Sequence, residues 1–266
     1  MSGYEERFGG VRRLFGVKGS ERLRQAHVCV IGMGGVGSWT VEALARSGVG
    51  HLTLVDFDEV CIANSNRQIH AQAGHFGQPK VEVMAQRVRA INPDCAVNPV
   101  LALFTPATAD QILGSPFDYM VDAIDQISNK CLLIARCRER SLPIITSGGA
   151  GGRRDPTQVR VGDLAFTSHN RLLVQVRSTL RQDYGFPRGK KPFGVDCVYS
   201  SEPVVYPAKD GSGCARREEG GRLRIDCKTG FGTATFVTGT FGFVAAAHVV
   251  SMLAGLNGIA APLLEP

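Results

Sequence analysis

Along the first 150 residues, short apolar runs alternate with stretches whose apolar positions recur every three or four residues. The runs at 27–32, 51–56, 96–103, 119–123 and 143–147 have the length and composition of strands. The stretches between them predict helices over 36–47, 79–91, 106–113 and 128–141. Strand and helix in strict alternation imply parallel strands joined by crossovers. The fold class expected is therefore α/β: a Rossmann-like, mostly parallel sheet with helices on both faces. From 148 to 228 glycine, proline and charge take over, so a basic, loop-rich C-terminal extension with a few strands is expected. Within it, 184–191 and 208–222 read as mobile segments.

The last stretch changes character again, because no residue from 231 to 264 is Asp, Glu, Lys or Arg. By length alone it could cross a bilayer. Threonine and glycine recur through it (Thr233, Thr235, Thr238, Gly239, Gly242), which suits a buried helix at a subunit interface better. His248 then reads as a core or interface histidine. Peripheral or integral membrane association through 231–264 is the alternative.

The chemistry concentrates between His27 and Gln68. HVCVIGMGGVG places Gly32, Gly34, Gly35 and Gly37 between a strand and a helix, where backbone N–H groups and the helix dipole favour phosphate. The next strand ends in Asp56, 19 residues after Gly37, the spacing that puts a carboxylate on a ribose hydroxyl. Asp58, Asn64, Arg67, Gln68 and Lys80 follow. A nicotinamide enzyme or a non-catalytic nucleotide module has no use for that set. Arg grips phosphate oxygens in a planar fork and Lys acts as a point charge, as an enzyme attacking the α-phosphorus of a triphosphate requires. DAID ends the fourth strand and sets Asp122 and Asp125 at the carboxyl edge of the sheet, where such sheets bind ligands.

Charge and cysteine usage narrow the class. Residues 1–150 hold 15 Lys/Arg against 14 Asp/Glu, whereas 151–228 hold 15 against 9. The positive surplus thus lies after the nucleotide core and points to a polyanionic substrate. None of the eight cysteines is separated from another by two residues, so no paired C-x-x-C zinc site is readable. The polar, charged start lacks a secretory pattern, and a cytoplasmic chain with reduced thiols is expected. Cys29 and Cys61 read as small core residues. Cys197 and Cys227 are the candidate nucleophiles, with a structural role favoured for both in the absence of an adjacent base.

GMGGVG, VDFDEV, NSNRQ, Lys80 in GQPKVEV and DAIDQISNK together resemble the adenylation (ThiF-like) domain of the ubiquitin-activating-enzyme superfamily, which includes the molybdopterin and thiamine adenylyltransferases. The resemblance implies that ATP and Mg²⁺ are bound. Asp56 would hold the ribose, Asn64, Arg67 and Lys80 the phosphates, and Asp125 the metal. It also implies an N-terminal arginine reaching into a neighbouring subunit, with Arg13 matching better than Arg7 or Arg12. The catalytic set so implied is Arg67, Lys80, Asp125 and Arg13. RFGG at 7–10, NRQIHA at 66–71, SGGAGGRRDPTQV at 147–159, GVDCVYSSE at 194–202 and GFGTATFVTGTFGFVAA at 230–246 are similar to the branch that dehydrates threonylcarbamoyladenosine in tRNA. By that resemblance, residues 1–266 form one adenylation domain. Its nucleotide-binding core is 27–150, and 151–266 is a basic tRNA-binding and dimer-interface portion. ATP would adenylate the threonyl carboxylate and the neighbouring carbamoyl group would displace AMP. A homodimer and, as in some relatives, a cysteine desulfurase or sulfur-acceptor system are the implied protein partners. The alternative is an adenylyltransferase that activates the C-terminus of a sulfur-carrier or ubiquitin-like protein.

Overall fold

The computed structural model describes residues 3–208, 212–214 and 231–256. Its strands are β1 (His27–Ile31), β2 (His51–Asp56), β3 (Ala96–Leu101), β4 (Tyr119–Asp122), β5 (Ile144–Ser147), β6 (Val159–Asp163) and β7 (Asp196–Ser200). They form one sheet in the order β3-β2-β1-β4-β5-β7-β6. Every pairing is parallel except β6 with β7, whose antiparallel register runs from Val159↔Ser200 to Asp163↔Asp196. The five expected strands are present, and the mostly parallel sheet is the one expected.

Alternation along the strands builds two cores. Val28 and Val30 of β1 join Leu52 and Leu54 of β2 on one face, while Cys29, Ile31 and Val55 point to the other. The first face is covered by α2 (Gly37–Arg46), α3 (Lys80–Ile91) and α7 (Thr235–Leu253), the second by α4 (Ala109–Ile112), α5 (Ile127–Glu139) and α6 (Arg171–Asp183). Burying both faces is what a parallel sheet requires.

Two helices escape the sequence pattern. α1 (Gly3–Gln25) is broken by Gly16, whose φ of 74° bends it, and its five glycines dilute the apolar period. It docks through Tyr4 and Phe8, and the Tyr4 hydroxyl donates to the Gly48 carbonyl at 2.7 Å. α6 falls inside the expected loop region. Asn170 caps it by accepting from the Leu173 N–H, and Leu173, Val176 and Leu180 are buried at helical spacing. The segment 184–191 is also more anchored than expected, since Phe186 is buried edge-on against Phe193. Most of 208–222, and Cys227, lie outside the described residues.

α7 is long and apolar enough to span a membrane, with a mean hydropathy of 1.7, but 61% of that window is buried inside the protein itself. Its closest neighbour is α2. A Cβ at Gly242 would come within 2.7 Å of Trp39 Cβ and the Val36 carbonyl, and the Thr40 hydroxyl donates to the Gly242 carbonyl at 3.2 Å. The helix is therefore covered by its own chain on this side rather than by a second subunit. Phe236 and Phe243 remain exposed on it. His248 is a core residue, as expected, bonded to Asp196 at 3.0 Å and edge-on to Tyr119.

Candidate active site

In a sheet ordered 3-2-1-4-5 the chain reverses direction between β1 and β4, and a crevice opens at the carboxyl ends of those strands. Here that crevice is a cleft of about 960 Å³. Its floor is the turn after β1. Gly32 sits at φ 99°, and a Cβ there would lie 2.7 Å from the Ala123 carbonyl. At Gly37 a Cβ would lie 1.8 Å from the Gly32 carbonyl, so only glycine lets the helix start this close to the strand. Around Gly34 a Cβ would meet nothing within 4 Å. Gly34 and Gly35 face the cleft, and this open space lies above the N-terminus of α2.

Asp56, at the end of β2, lines the cleft and accepts from Met33 N–H at 2.6 Å and Asp58 N–H at 2.8 Å. The carboxylate thus ties the glycine turn to β2 and keeps further acceptor capacity for hydroxyls. Lys80, at the start of α3, is 5% exposed and reaches Asp58 Oδ2 at 2.7 Å. Asp58, itself at the cleft wall, accordingly orients Lys80. Asn64 is buried and caps a short turn by accepting from Cys61 N–H, and Gln68 is buried with Oε1 unpartnered beside the cleft. Arg67 is turned back onto the Ala63 carbonyl at 2.8 Å and Asn66 Oδ1 at 2.9 Å. Asp125 is exposed at the opposite wall and makes no hydrogen bond or ion pair with the described residues.

Two expectations need correction, those for Asp122 and Cys61. Asp122 does not line the cleft. It is fully buried, with Lys130 Nζ at 2.8 Å and the Thr146 hydroxyl at 2.6 Å on one oxygen and the Ile124 N–H on the other. Its carboxylate holds the loop that carries Asp125 and cannot also reach a nucleotide. Arg13, expected to act in a neighbouring subunit, is exposed on α1 and does not line this chain's own cleft. Cys61 is exposed on the loop after β2 rather than part of the core, whereas Cys29 is buried as expected.

The sequence reading missed the supports of the Asn64–Gln68 loop. Trp39 Nε1 donates to the Arg67 carbonyl at 3.0 Å, and Asn66 Nδ2 donates to the Thr233 carbonyl and hydroxyl, both at 3.0 Å. Thr235 also donates to the Asn66 carbonyl. The threonines that set the C-terminal segment apart from a lipid-facing span were the available signal.

A match to the ThiF family covers residues 10–264. The chain belongs to the ThiF family. The tRNA threonylcarbamoyladenosine dehydratase of Escherichia coli (strain K12) is 48% identical over 252 residues, 94% of each chain. The enzyme of the same name from Haemophilus influenzae is 46% identical over 254 residues, 95% of each. The crystal structure of the E. coli enzyme in complex with ATP superposes with a TM-score of 0.85 at 44% identity, covering 95% of this chain and 96% of that one. Seen as a ThiF-family site, the glycine turn, Asp56, the Asn64–Gln68 loop, Lys80 and Asp125 all open onto one cleft.

Proposed function

We propose that this chain dehydrates threonylcarbamoyladenosine in tRNA at the expense of ATP. The observation that carries the reading is the likeness, along nearly the whole length, to a dehydratase of that substrate whose structure was determined with ATP. Supporting it, the cleft of about 960 Å³ runs from the first glycine turn to the Gly148–Gly151 loop after β5.

A carboxylate is a poor electrophile, and attack of its oxygen on the α-phosphorus of ATP replaces that with an acyl phosphate whose leaving group is AMP. Pyrophosphate departs in this first step. Lys80, held by Asp58, and the Arg67 guanidinium would stabilise the charge that builds on the phosphates. Arg67 must leave the Ala63 carbonyl to do so. The carbamoyl group on the same nucleoside then attacks the activated carbonyl, and AMP leaves with the carboxylate oxygen. Both reacting groups share one nucleotide, so no covalent enzyme intermediate is required. Mg²⁺ fits this site. Asp125 is an unengaged carboxylate in that cleft, and Mg²⁺ takes one or two carboxylates plus substrate phosphates, supplying charge neutralisation.

The basic residues after 150 would carry the tRNA, and a homodimer would bring Arg13 into the partner's cleft and cover Phe236 and Phe243. A cysteine desulfurase or sulfur-acceptor system is the remaining partner proposal. For the alternative, activation of a carrier protein through a thioester, a reactive cysteine is needed. Cys197 is fully buried on β7, and burial pushes its thiol pKa up, away from the thiolate. Cys227 lies outside the described residues.

The oxygen route tests the mechanism. With ¹⁸O in the threonyl carboxylate, cyclisation should deliver one labelled oxygen to AMP. Unlabelled AMP formed alongside cyclised nucleoside would exclude adenylation of that carboxylate.

A further inference from the structure

The β5 side of the cleft has its own basic chemistry, separate from the phosphate cradle. β5 ends in a second glycine loop, Gly148 to Gly151, that lines the cleft and docks on the start of α6. A Cβ at Gly148 would lie 2.7 Å from Asn170 Nδ2, and that amide donates to the Gly149 carbonyl at 2.9 Å. Arg153 follows the loop, is 3% exposed, and lines the same cleft. Its two terminal nitrogens donate to the backbone carbonyls of Glu202 and His169, while Nε has no partner. The Glu202 carboxylate is occupied elsewhere, accepting from the N–H groups of Arg154 and Asp155. The buried guanidinium is thus bonded only to neutral carbonyls, with the Glu202 carboxylate nearby as a charge partner that does not bond it, and its Nε is left open. Arg171, the first residue of α6, also lines the cleft, and its side chain forms no hydrogen bond or ion pair with the described residues.

We propose that Arg153, Arg171 and the Gly148–Gly151 loop form a carboxylate subsite that seats the threonyl carboxylate of the substrate. This rests on the function proposed above and adds where the reacting group is held. Arg171 takes one carboxylate oxygen and leaves the other for the α-phosphorus. Arg153 fixes the loops that define the pocket, its own charge facing the nearby Glu202 carboxylate. Adenylation removes the carboxylate's charge, so the subsite grips the substrate more than the acyl-adenylate. Losing it should therefore raise KM for modified tRNA more than it lowers kcat.

The direct test is equilibrium binding of free threonylcarbamoyladenosine nucleoside and of its carboxamide to the full chain, with a non-hydrolysable ATP analogue present. The free nucleoside has no phosphate, so it separates carboxylate recognition from backbone contacts. The wild type should prefer the carboxylate by about tenfold or more. Arg171→Ala should lose most of that preference, raise KM for modified tRNA to a similar extent, and bind the ATP analogue as the wild type does. Arg153→Lys should act in the same direction if it folds, and Arg171→Ala, exposed on α6, keeps the test open if it does not. Equal binding of carboxylate and carboxamide by the wild type would overturn the subsite, as would a preference that survives in Arg171→Ala. An equal loss of affinity for unmodified tRNA would mark Arg171 as a backbone-phosphate contact and overturn it too. A wild type that prefers the carboxylate yet leaves modified tRNA unchanged overturns the dehydratase reading and keeps the subsite.

Discussion

The ammonium of Lys130 lies 2.8 Å from the Asp122 carboxylate, with both side chains fully buried beneath the loop that carries Asp125. Neither charge touches water, and Thr146 and the Ile124 N–H complete the carboxylate's bonds. Removing one member leaves an uncompensated buried charge. Lys130→Met should lower stability by about 3–5 kcal/mol, and pairing it with Asp122→Leu should restore part of that loss. Urea unfolding of Lys130→Met, of Asp122→Leu alone and of the double variant checks this. A single variant as stable as the wild type would contradict the buried pair.

Two glycines of the first turn should behave in opposite ways. Gly37→Ala forces a Cβ into the Gly32 carbonyl and should disrupt the turn, lowering the melting temperature and abolishing ATP binding together. Gly34→Ala meets no protein atom within 4 Å and should keep the melting temperature near wild type. Its methyl group stands where phosphate would sit, so ATP affinity should fall by about tenfold or more. Calorimetric titration with ATP, paired with thermal unfolding, separates the two outcomes.

Asp125→Ala should leave folding and ATP binding largely intact while turnover falls by about 10²-fold or more, because the residue makes no bond with the described structure. Single-turnover assays over a range of Mg²⁺ concentration provide the check. Wild-type rates would remove Asp125 from the catalytic set.

His70 gives a pH signature. It is 1% exposed, neither ring nitrogen has a hydrogen-bond partner, and burial followed by the nearby Lys80 lowers its pKa from 6.5 to about 4. Between those values the unfolded chain holds a proton that the native chain does not. Stability should therefore fall as pH drops from 6.5 towards 4, by about 1.4 kcal/mol per pH unit for this group. His70→Leu should flatten that slope by close to one proton in urea titrations. An unchanged slope would show that His70 is not the group responsible.

Much of the fold was legible because parallel strands in a two-faced sheet are short apolar runs, and the glycine turn between β1 and α2 has a strict spacing. Asp56, Lys80 and Asp125 were legible as cleft residues for the same reason, since each follows a strand end or starts a helix at the sheet's carboxyl edge. Asp122 was misplaced because one residue of register decides whether a strand-end carboxylate faces ligand or core, and Lys130, two helical turns later, gave no sign of burial. α1 was hidden by its glycines. In α6 the apolar triplet Leu173, Val176 and Leu180 was readable, but the surrounding basic residues masked it. The bonds from Thr233 and Trp39 to the Asn64–Gln68 loop join positions more than 160 and about 28 residues apart, which local patterning does not reveal.

The most direct measurement is mass spectrometry of nucleosides from threonylcarbamoyladenosine-bearing tRNA incubated with the purified chain, ATP and Mg²⁺, with an ATP-free control. Loss of one water from that nucleoside, matched by AMP release and absent from the control, is the expected result. An unaltered nucleoside alongside tight ATP binding would contradict the account and turn attention to a protein carboxylate.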